Sequence, residues 1–125
     1  MIAAIGQRFF PPNVASVTMP ARTIEGLAAF FTREIRRGID GTAIKAGVIK
    51  IGIIAGKPTA LEETGLRAGA RASKATGAAI RIHTHAADRA GENLAPILES
   101  EASIPRASRS ITATTAARWI ISQAW

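Results

Sequence analysis

Two apolar segments of the sequence carry basic side chains that could do chemistry. Lys50 lies within AGVIKIGII, and His83 and His85 lie within AIRIHTH. If both segments are β-strands, alternation places Arg81, His83 and His85 on one face and the intervening isoleucines on the other. Both histidines then lie at the carboxyl end of their strand, where parallel α/β sheets collect ligands and catalytic groups. Lys50 and the histidine pair are therefore the candidate site residues.

Lys50 occupies an inward position on a strand, where an ammonium group without a partner is costly. Burial favours the neutral amine or requires a nearby counter-charge. A neutral amine can act as a Schiff-base nucleophile, or it can combine with carbon dioxide to give a carbamate, an anion able to bridge two metal ions. The alternative is a lysine at a strand end whose ammonium group reaches water. The pattern leaves both interpretations open.

His83 and His85 form an H-x-H pair, and neutral imidazoles at this spacing can bind one zinc ion. Because stable zinc sites use three or four ligands, the pair alone does not make a site. The alternative is a hydrogen-bonded core histidine beside a surface histidine. The acidic residues that follow have simpler explanations. Asp88 is most simply a helix cap, and the others are most simply exposed helix residues: Glu92, Glu99 and Glu101.

The composition is that of a globular domain: 125 residues, of which 47% are hydrophobic and 20% charged. Cysteine is absent, which excludes disulfides and thiolate chemistry and fits a cytoplasmic location. The apolar start lacks a preceding basic region, so we expect no signal peptide, and no apolar run reaches membrane-spanning length. We therefore expect no membrane partner.

The net charge of +7 could indicate a nucleic-acid partner. The arginines, however, are spread along several segments without a dense basic run, and the aromatic residues are four phenylalanines and two tryptophans. Solvated helix faces explain this distribution better, so we expect no nucleic-acid partner.

Strand and helix signals alternate along the chain. Short apolar, β-branched runs predict strands over residues 2–5, 46–54 and 79–84. Predicted helices begin at the caps Thr23, Thr59 and Asp88, the second through a capping box with Glu62. Pro96 should kink the third helix or delay its start. The β-α-β-α-β-α order predicts parallel strands with right-handed crossovers, and residues after 104 could add a strand and a helix or fray.

Three segments resemble, in the same order, the phosphotriesterase-related proteins of the amidohydrolase superfamily. They are IAAIGQRFFPP, FFTREIRRGIDGTAIKAGVIK and LEETGLRAGARASKATGAAIRIHTHAADRAGENLAPILESE. The resemblance implies a TIM barrel with two divalent metal ions, usually zinc, that activate water to hydrolyse phosphotriesters, lactones or related esters. For this chain it implies a single α/β domain, a partial (β/α) barrel of three to four parallel strands with flanking helices. Residues 1–104 are then family-like and residues 105–125 a divergent tail.

The resemblance also assigns site residues. Lys50 matches the lysine of the family's fourth strand, which is carboxylated and bridges the metals, and His83 matches a metal-binding histidine of the fifth strand. Arg8 falls where many members place an aromatic residue of the substrate pocket, so substrate preference does not carry over. His85 matches no family ligand.

Other family ligands have no counterpart. The first-strand histidine pair and the eighth-strand aspartate, the usual general base, are missing, and SITATT stands where the sixth-strand histidine is expected near Thr112. A whole barrel needs about 250 residues. The resemblance therefore implies a hydrolase fragment that is inactive alone. The alternatives are a half-barrel completed by another chain and a non-catalytic basic binding module.

A half-barrel carries its own structural expectations. Lys50 and His83 should share one face of adjacent strands near the carboxyl edge. The inner face should expose apolar surface, because half a barrel cannot cover its own core. Exposed sheet edges should favour self-association.

Overall fold

A computed structural model describes residues 3–7, 23–53, 56–85, 90–102 and 119–124. Strands and helices alternate along these residues. The strands are β1 (Ala3–Gln7), β2 (Ala46–Gly52), β3 (Ala79–His85) and β4 (Trp119–Ala124). The helices are α1 (Ile24–Arg36), α2 (Ala60–Thr76) and α3 (Ala90–Ala102), and a short 3-10 turn, Ile39–Gly41, precedes β2.

The four strands form one sheet in the chain order β1-β2-β3-β4, and every neighbouring pair is parallel. Parallel neighbours need a crossover connection, and here a helix follows each of the first three strands in the chain. The predicted α/β fold, a partial (β/α) barrel, is confirmed. The tail could add a strand and a helix or fray, and β4 is such a strand. The rest of the tail lies outside the described residues.

One face of the sheet packs against the helices. Alternation along β2 and β3 sends every second side chain to this face, and these side chains are four isoleucines together with Ala46 and Thr84. The buried cluster joins strand isoleucines to large side chains of all three helices: Ile49, Ile51, Ile80, Ile82, Leu27, Phe31, Leu66, Leu94 and Leu98. The core thus lies on the helical side of the sheet, and the other face is left for a site.

Helix α2 approaches β2 closely at Gly69. A Cβ atom at this position would lie 2.7 Å from Cδ1 of Ile51, closer than carbon atoms pack. Ala68 and Ala72 on the same helix are fully buried. The small residues of α2 therefore let the helix lie directly on the strand that carries Lys50.

The predicted caps of the first two helices are confirmed. Thr23 Oγ1 accepts a hydrogen bond from the Gly26 amide at 3.1 Å. The Thr59 amide donates to Glu62 Oε2 at 2.8 Å, while the Glu62 amide donates to Thr59 Oγ1 at 3.2 Å, a complete capping box. Asp88, the cap predicted for the third helix, lies outside the described residues.

Helix α3 begins at Ala90, ahead of Pro96, so the proline does not delay the start of the helix. Glu101 joins the C-terminal end of α3 to helix α2. The interpretation of Glu101 as an exposed helix residue is wrong, because only 13% of its side chain is accessible to solvent. Glu101 Oε1 accepts from Arg67 at 2.9 Å, and Oε2 accepts from Arg71 at 2.7 Å.

Arg67 and Arg71 also form ion pairs with two other glutamates of the helical layer. Arg71 also pairs with Glu25 of α1 at 3.1 Å, and Arg67 pairs with Glu63 within α2 at 2.7 Å. The hydrogen bond from Arg71 is the main reason that the pKa of Glu101 lies below its ordinary value, and the Arg67 guanidinium lowers it further. Ion pairing with these carboxylates raises the pKa of both arginines.

Candidate metal site on the open face of the sheet

The register of β2 and β3 decides where the predicted site residues lie. Lys50 is the Cα partner of Arg81, and Gly52 is the Cα partner of His83. Partners on adjacent parallel strands point to the same face, as do residues two apart on one strand. Lys50, Arg81 and His83 therefore share the face opposite the buried isoleucines. His83 lies two residues nearer the carboxyl edge than the position that pairs with Lys50.

The exposure of these three residues differs. Arg81 and His83 are exposed, whereas Lys50 is half-buried. The Nζ of Lys50 lies 3.5 Å from the carbonyl oxygen of Ile51, at the long limit for a hydrogen bond. At the strand end, the Ile53 amide donates to the carbonyl of His83 at 2.9 Å, which fixes the backbone at the candidate ligand.

Two contacts position the strand and loop around Lys50. Glu34, 1% exposed, accepts a hydrogen bond from the Asp40 amide at 2.7 Å and so holds the turn that leads into β2. Asp40 adopts a left-handed conformation there, with φ of 49°. At the opposite edge, Asn93 Nδ2 donates to the carbonyl of Gly56 at 2.8 Å and joins the first turn of α3 to the loop after β2.

The other predicted site residues are less fully placed. His85 ends β3, and its Cα partner is Ala124 of β4. Arg8, the predicted substrate-pocket residue, lies outside the described residues. The metal-binding roles of Lys50 and His83 stay predictions, as does the role of Arg8.

The open face carries both polar and apolar side chains. Among the described side chains of this face, Ala4, Arg81 and His83 are exposed and Val48 is half-buried, and the expected exposed apolar inner face stays a prediction. The large apolar side chains that are exposed in the described part of the chain are Ile44 and Leu61, which precede β2 and lie in the first turn of α2. Sequence reasoning placed Arg81 on this face but gave it no role, although its alternation with His83 was the available signal.

The donor set accounts for only part of a metal centre. Among the described residues, no three His, Cys, Asp or Glu side chains come together to hold a metal ion. A lysine can join such a set as its neutral amine or as its carbamate, so Lys50 and His83 represent at most two ligands. Their placement fits two positions of a larger centre, and the remaining ligands would have to come from elsewhere.

Consecutive parallel βα units, with the core on the helical side and polar groups on the other face, place the chain in the (β/α) barrel class. The sequence model of the phosphotriesterase family matches residues 2–112, and the chain belongs to that family. The predicted resemblance is confirmed. The division into residues 1–104 and 105–125 stays a prediction.

Comparison with individual proteins gives the same result over part of each relative. A phosphotriesterase homology protein of Escherichia coli is 43% identical over 88 residues, 70% of this chain and 28% of that protein. A phosphotriesterase homology protein of Mycobacterium tuberculosis is 41% identical over 75 residues, 58% of this chain and 23% of that protein. The chain thus spans less than a third of these relatives.

A solved structure agrees with the sequence matches. The crystal structure of a lactonase from Listeria monocytogenes superimposes with a TM-score of 0.59 at 41% identity, over 66% of this chain and 25% of the lactonase. Within the described residues, no helix is both long and apolar enough to cross a membrane.

Proposed function

We propose that this chain is a segment of a zinc-dependent hydrolase of ester, lactone or phosphotriester bonds, and that it is inactive by itself. The observation that carries the proposal is the register of β2 and β3, which puts Lys50 and His83 on one face of neighbouring strands. Membership of the phosphotriesterase family and 41% identity to a lactonase support the reaction class.

In this proposal Lys50, as its carbamate, and His83 would be the residues of this chain that hold zinc. When bound, the metal pair would supply an activated water and polarise the bond to be hydrolysed. β2 and β3 hold the two ligands at a fixed separation, because their backbones are joined by a hydrogen-bonded ladder that extends to the Ile53 amide. Arg8 would line the substrate pocket.

The proposed inactivity follows from the ligand count. Two ligands from one chain do not hold a pair of metal ions, and the family's aspartate base has no match among the residues that resemble the family. After dialysis against zinc, elemental analysis of the purified chain should therefore give much less than one zinc per chain, and the chain should not hydrolyse a lactone. Two zinc ions per chain, lost in Lys50→Ala and His83→Ala, would show that it supplies ligands beyond these two.

The ligand roles can be tested in a complete barrel. Residues 3–102 of this chain would replace the corresponding segment of the Listeria lactonase, and the purified chimera would be assayed for zinc content and lactone hydrolysis. We expect both Lys50→Ala and His83→Ala to lower activity by more than about a hundredfold, since even residues that only support metal ligands are worth 10–100-fold.

Lys45→Ala provides the matched control for the chimera. Lys45 is exposed and lies just before β2, so its removal takes away a lysine without touching the open face. The control should keep zinc and activity. A chimera that keeps full zinc and activity after loss of Lys50 or His83 would contradict the proposed roles.

A further inference from the structure

Gly52 is the open-face residue of β2 that lies between the two proposed metal ligands. It comes two residues after Lys50 on the same strand and face, and it is the Cα partner of His83 on β3. Since side chains on one face of neighbouring strands are neighbours in space, Lys50 and His83 border the position at which Gly52 has no side chain. The open face therefore has a gap here, at the carboxyl edge of the sheet.

The backbone gives no reason for glycine at this position. The φ angle of Gly52 is not positive, so residues with a side chain can adopt the same conformation. The pairing of β2 with β3 runs through Gly52 to the Ile53 amide without a shift in register, which excludes a bulge. Within the described part of the chain, a Cβ atom at Gly52 would meet nothing within 4 Å beyond its chain neighbours.

Gly69 provides the contrast, because packing does require a small residue there. A Cβ atom at Gly69 would lie 2.7 Å from Ile51 Cδ1, whereas Gly52 has no such neighbour. Glycine in a paired strand lowers stability, since it loses more backbone freedom on folding and adds no side chain to pack. Where neither a bulge nor packing requires it, such a glycine marks a place that a ligand approaches closely.

We propose that Gly52 is a specificity-determining residue of the proposed hydrolase, whose missing side chain admits the ester or lactone group of the substrate between Lys50 and His83. This role rests on the proposed function and adds a substrate-binding position to its two metal-binding positions. The gap lies at the carboxyl edge, where (β/α) barrels bind their substrates. A branched side chain at residue 52 would project into the gap and exclude part of the substrate.

The first measurement is a urea titration of the full chain, which tests whether the fold needs this glycine. Gly52→Ala and Gly52→Val should unfold at the same urea concentration as the parent chain or at a higher one, because both replace a residue of poor strand propensity. A clearly lower midpoint in either variant would show that the fold requires Gly52, and it would overturn the proposal without any assay of activity.

The second measurement uses the chimera with the Listeria lactonase, assayed with γ-butyrolactone and with the larger γ-nonalactone. Gly52→Val should raise KM for γ-nonalactone by about tenfold or more, the loss typical of one overpacked position, and should leave the zinc content unchanged. Gly52→Ala should raise KM less, because its side chain is smaller.

Ala4→Val is the matched control for the chimera. Ala4 is exposed on the same open face and is the Cα partner of Val48, two residues before Lys50 and so away from the carboxyl edge. The control should keep the KM and zinc content of the parent chimera. Equal increases of KM in Ala4→Val and Gly52→Val would show a general effect of bulk on this face and would overturn the proposal.

The remaining outcomes also decide the role of Gly52. An increase of KM for γ-nonalactone alone would place the alkyl chain in the gap, and an increase for both lactones would place the lactone ring there; either result supports the proposal. An unchanged KM for both lactones would overturn it. Loss of zinc in Gly52→Val would put the metal rather than the substrate against Gly52, which also overturns it.

Lys50→Ala in the same chimera separates this role from the proposed function. If Lys50→Ala keeps zinc and activity, the proposed function fails, and the role of Gly52 fails with it. If Lys50→Ala loses zinc and activity while Gly52→Val keeps the KM of the parent chimera, the proposed function stands and only the role of Gly52 is wrong.

Discussion

Glu101 links α3 to α2 through two arginines, and its replacement by glutamine measures what this link contributes. The carboxylate accepts from Arg67 at 2.9 Å and from Arg71 at 2.7 Å, with 13% of its side chain exposed. In Glu101→Gln, the amide oxygen can still accept from one arginine, but the amide NH2 group meets the other as donor against donor. The variant therefore loses a charge and one hydrogen bond.

The magnitude follows from the burial of the partners. A hydrogen bond to a charged group contributes about 1.5–3 kcal/mol, and an exposed ion pair about 0.2–1 kcal/mol. Arg67 and Arg71 are 27% and 39% exposed, so solvent screens part of the interaction. We expect Glu101→Gln to lower the free energy of unfolding by about 2 kcal/mol at pH 7, measured by urea titration with circular dichroism.

The pH dependence gives a second, independent check. The pKa of Glu101 is lowered in the folded chain from its ordinary value of 4.5, chiefly by the hydrogen bond from Arg71. A lowered folded-state pKa means that the contribution is complete above the ordinary value and is lost as pH falls through the folded value. The difference between the parent chain and Glu101→Gln should therefore persist at pH 7 and shrink on acidification below pH 4.5.

Lys74→Gln is the control, because Lys74 is an exposed charged residue in the last turn of α2 and takes no part in the hydrogen bonds of Glu101. It should change the free energy of unfolding by less than about 0.5 kcal/mol. The reasoning would be refuted if both variants lost equal stability at pH 7, or if the deficit of Glu101→Gln did not shrink with acidification.

Two further substitutions test the elements around the site by the same urea titration. Thr59→Ala removes the N-cap of α2 and should lower the free energy of unfolding by about 1 kcal/mol. An unchanged urea midpoint would show that Glu62 stabilises the end of the helix without Thr59. Gly38→Ala should lower the free energy of unfolding by about 2 kcal/mol or more, because φ of Gly38 is 119° and an added Cβ would collide with the Thr42 carbonyl. Unchanged stability would mean that the turn can rearrange to accept the Cβ atom.

Local patterns predicted much of the fold. The isoleucines of β2 and β3 repeat every second residue, and this spacing alone fixes which face is buried and that Lys50 and His83 take the other. Thr59 and Glu62 are three residues apart, so their capping box is also visible in the sequence. These features depend on neighbours within a few residues, which is why the sequence was sufficient to find them.

Features that depend on distant parts of the chain were missed. Glu101 pairs with arginines 30 and 34 residues away, and no local pattern distinguishes it from an exposed glutamate. The tail gave an ambiguous signal because β4 gains its parallel partner only from β3. The candidate site is partial for the same reason: alternation places Lys50 and His83 on one face, but it does not supply the other ligands of a metal centre.

The two faces of the sheet carry different kinds of side chain. Side chains that point to the helices form the buried cluster, while Lys50, Arg81 and His83 project from the same strands to the other side. Because neighbouring residues alternate between the faces, the ladder that joins β2 to β3 holds the core in register and sets the spacing of the three basic groups at the same time. We therefore expect a change at one of these open-face residues to leave the core that holds the strands intact, since none of the three contributes to the buried cluster.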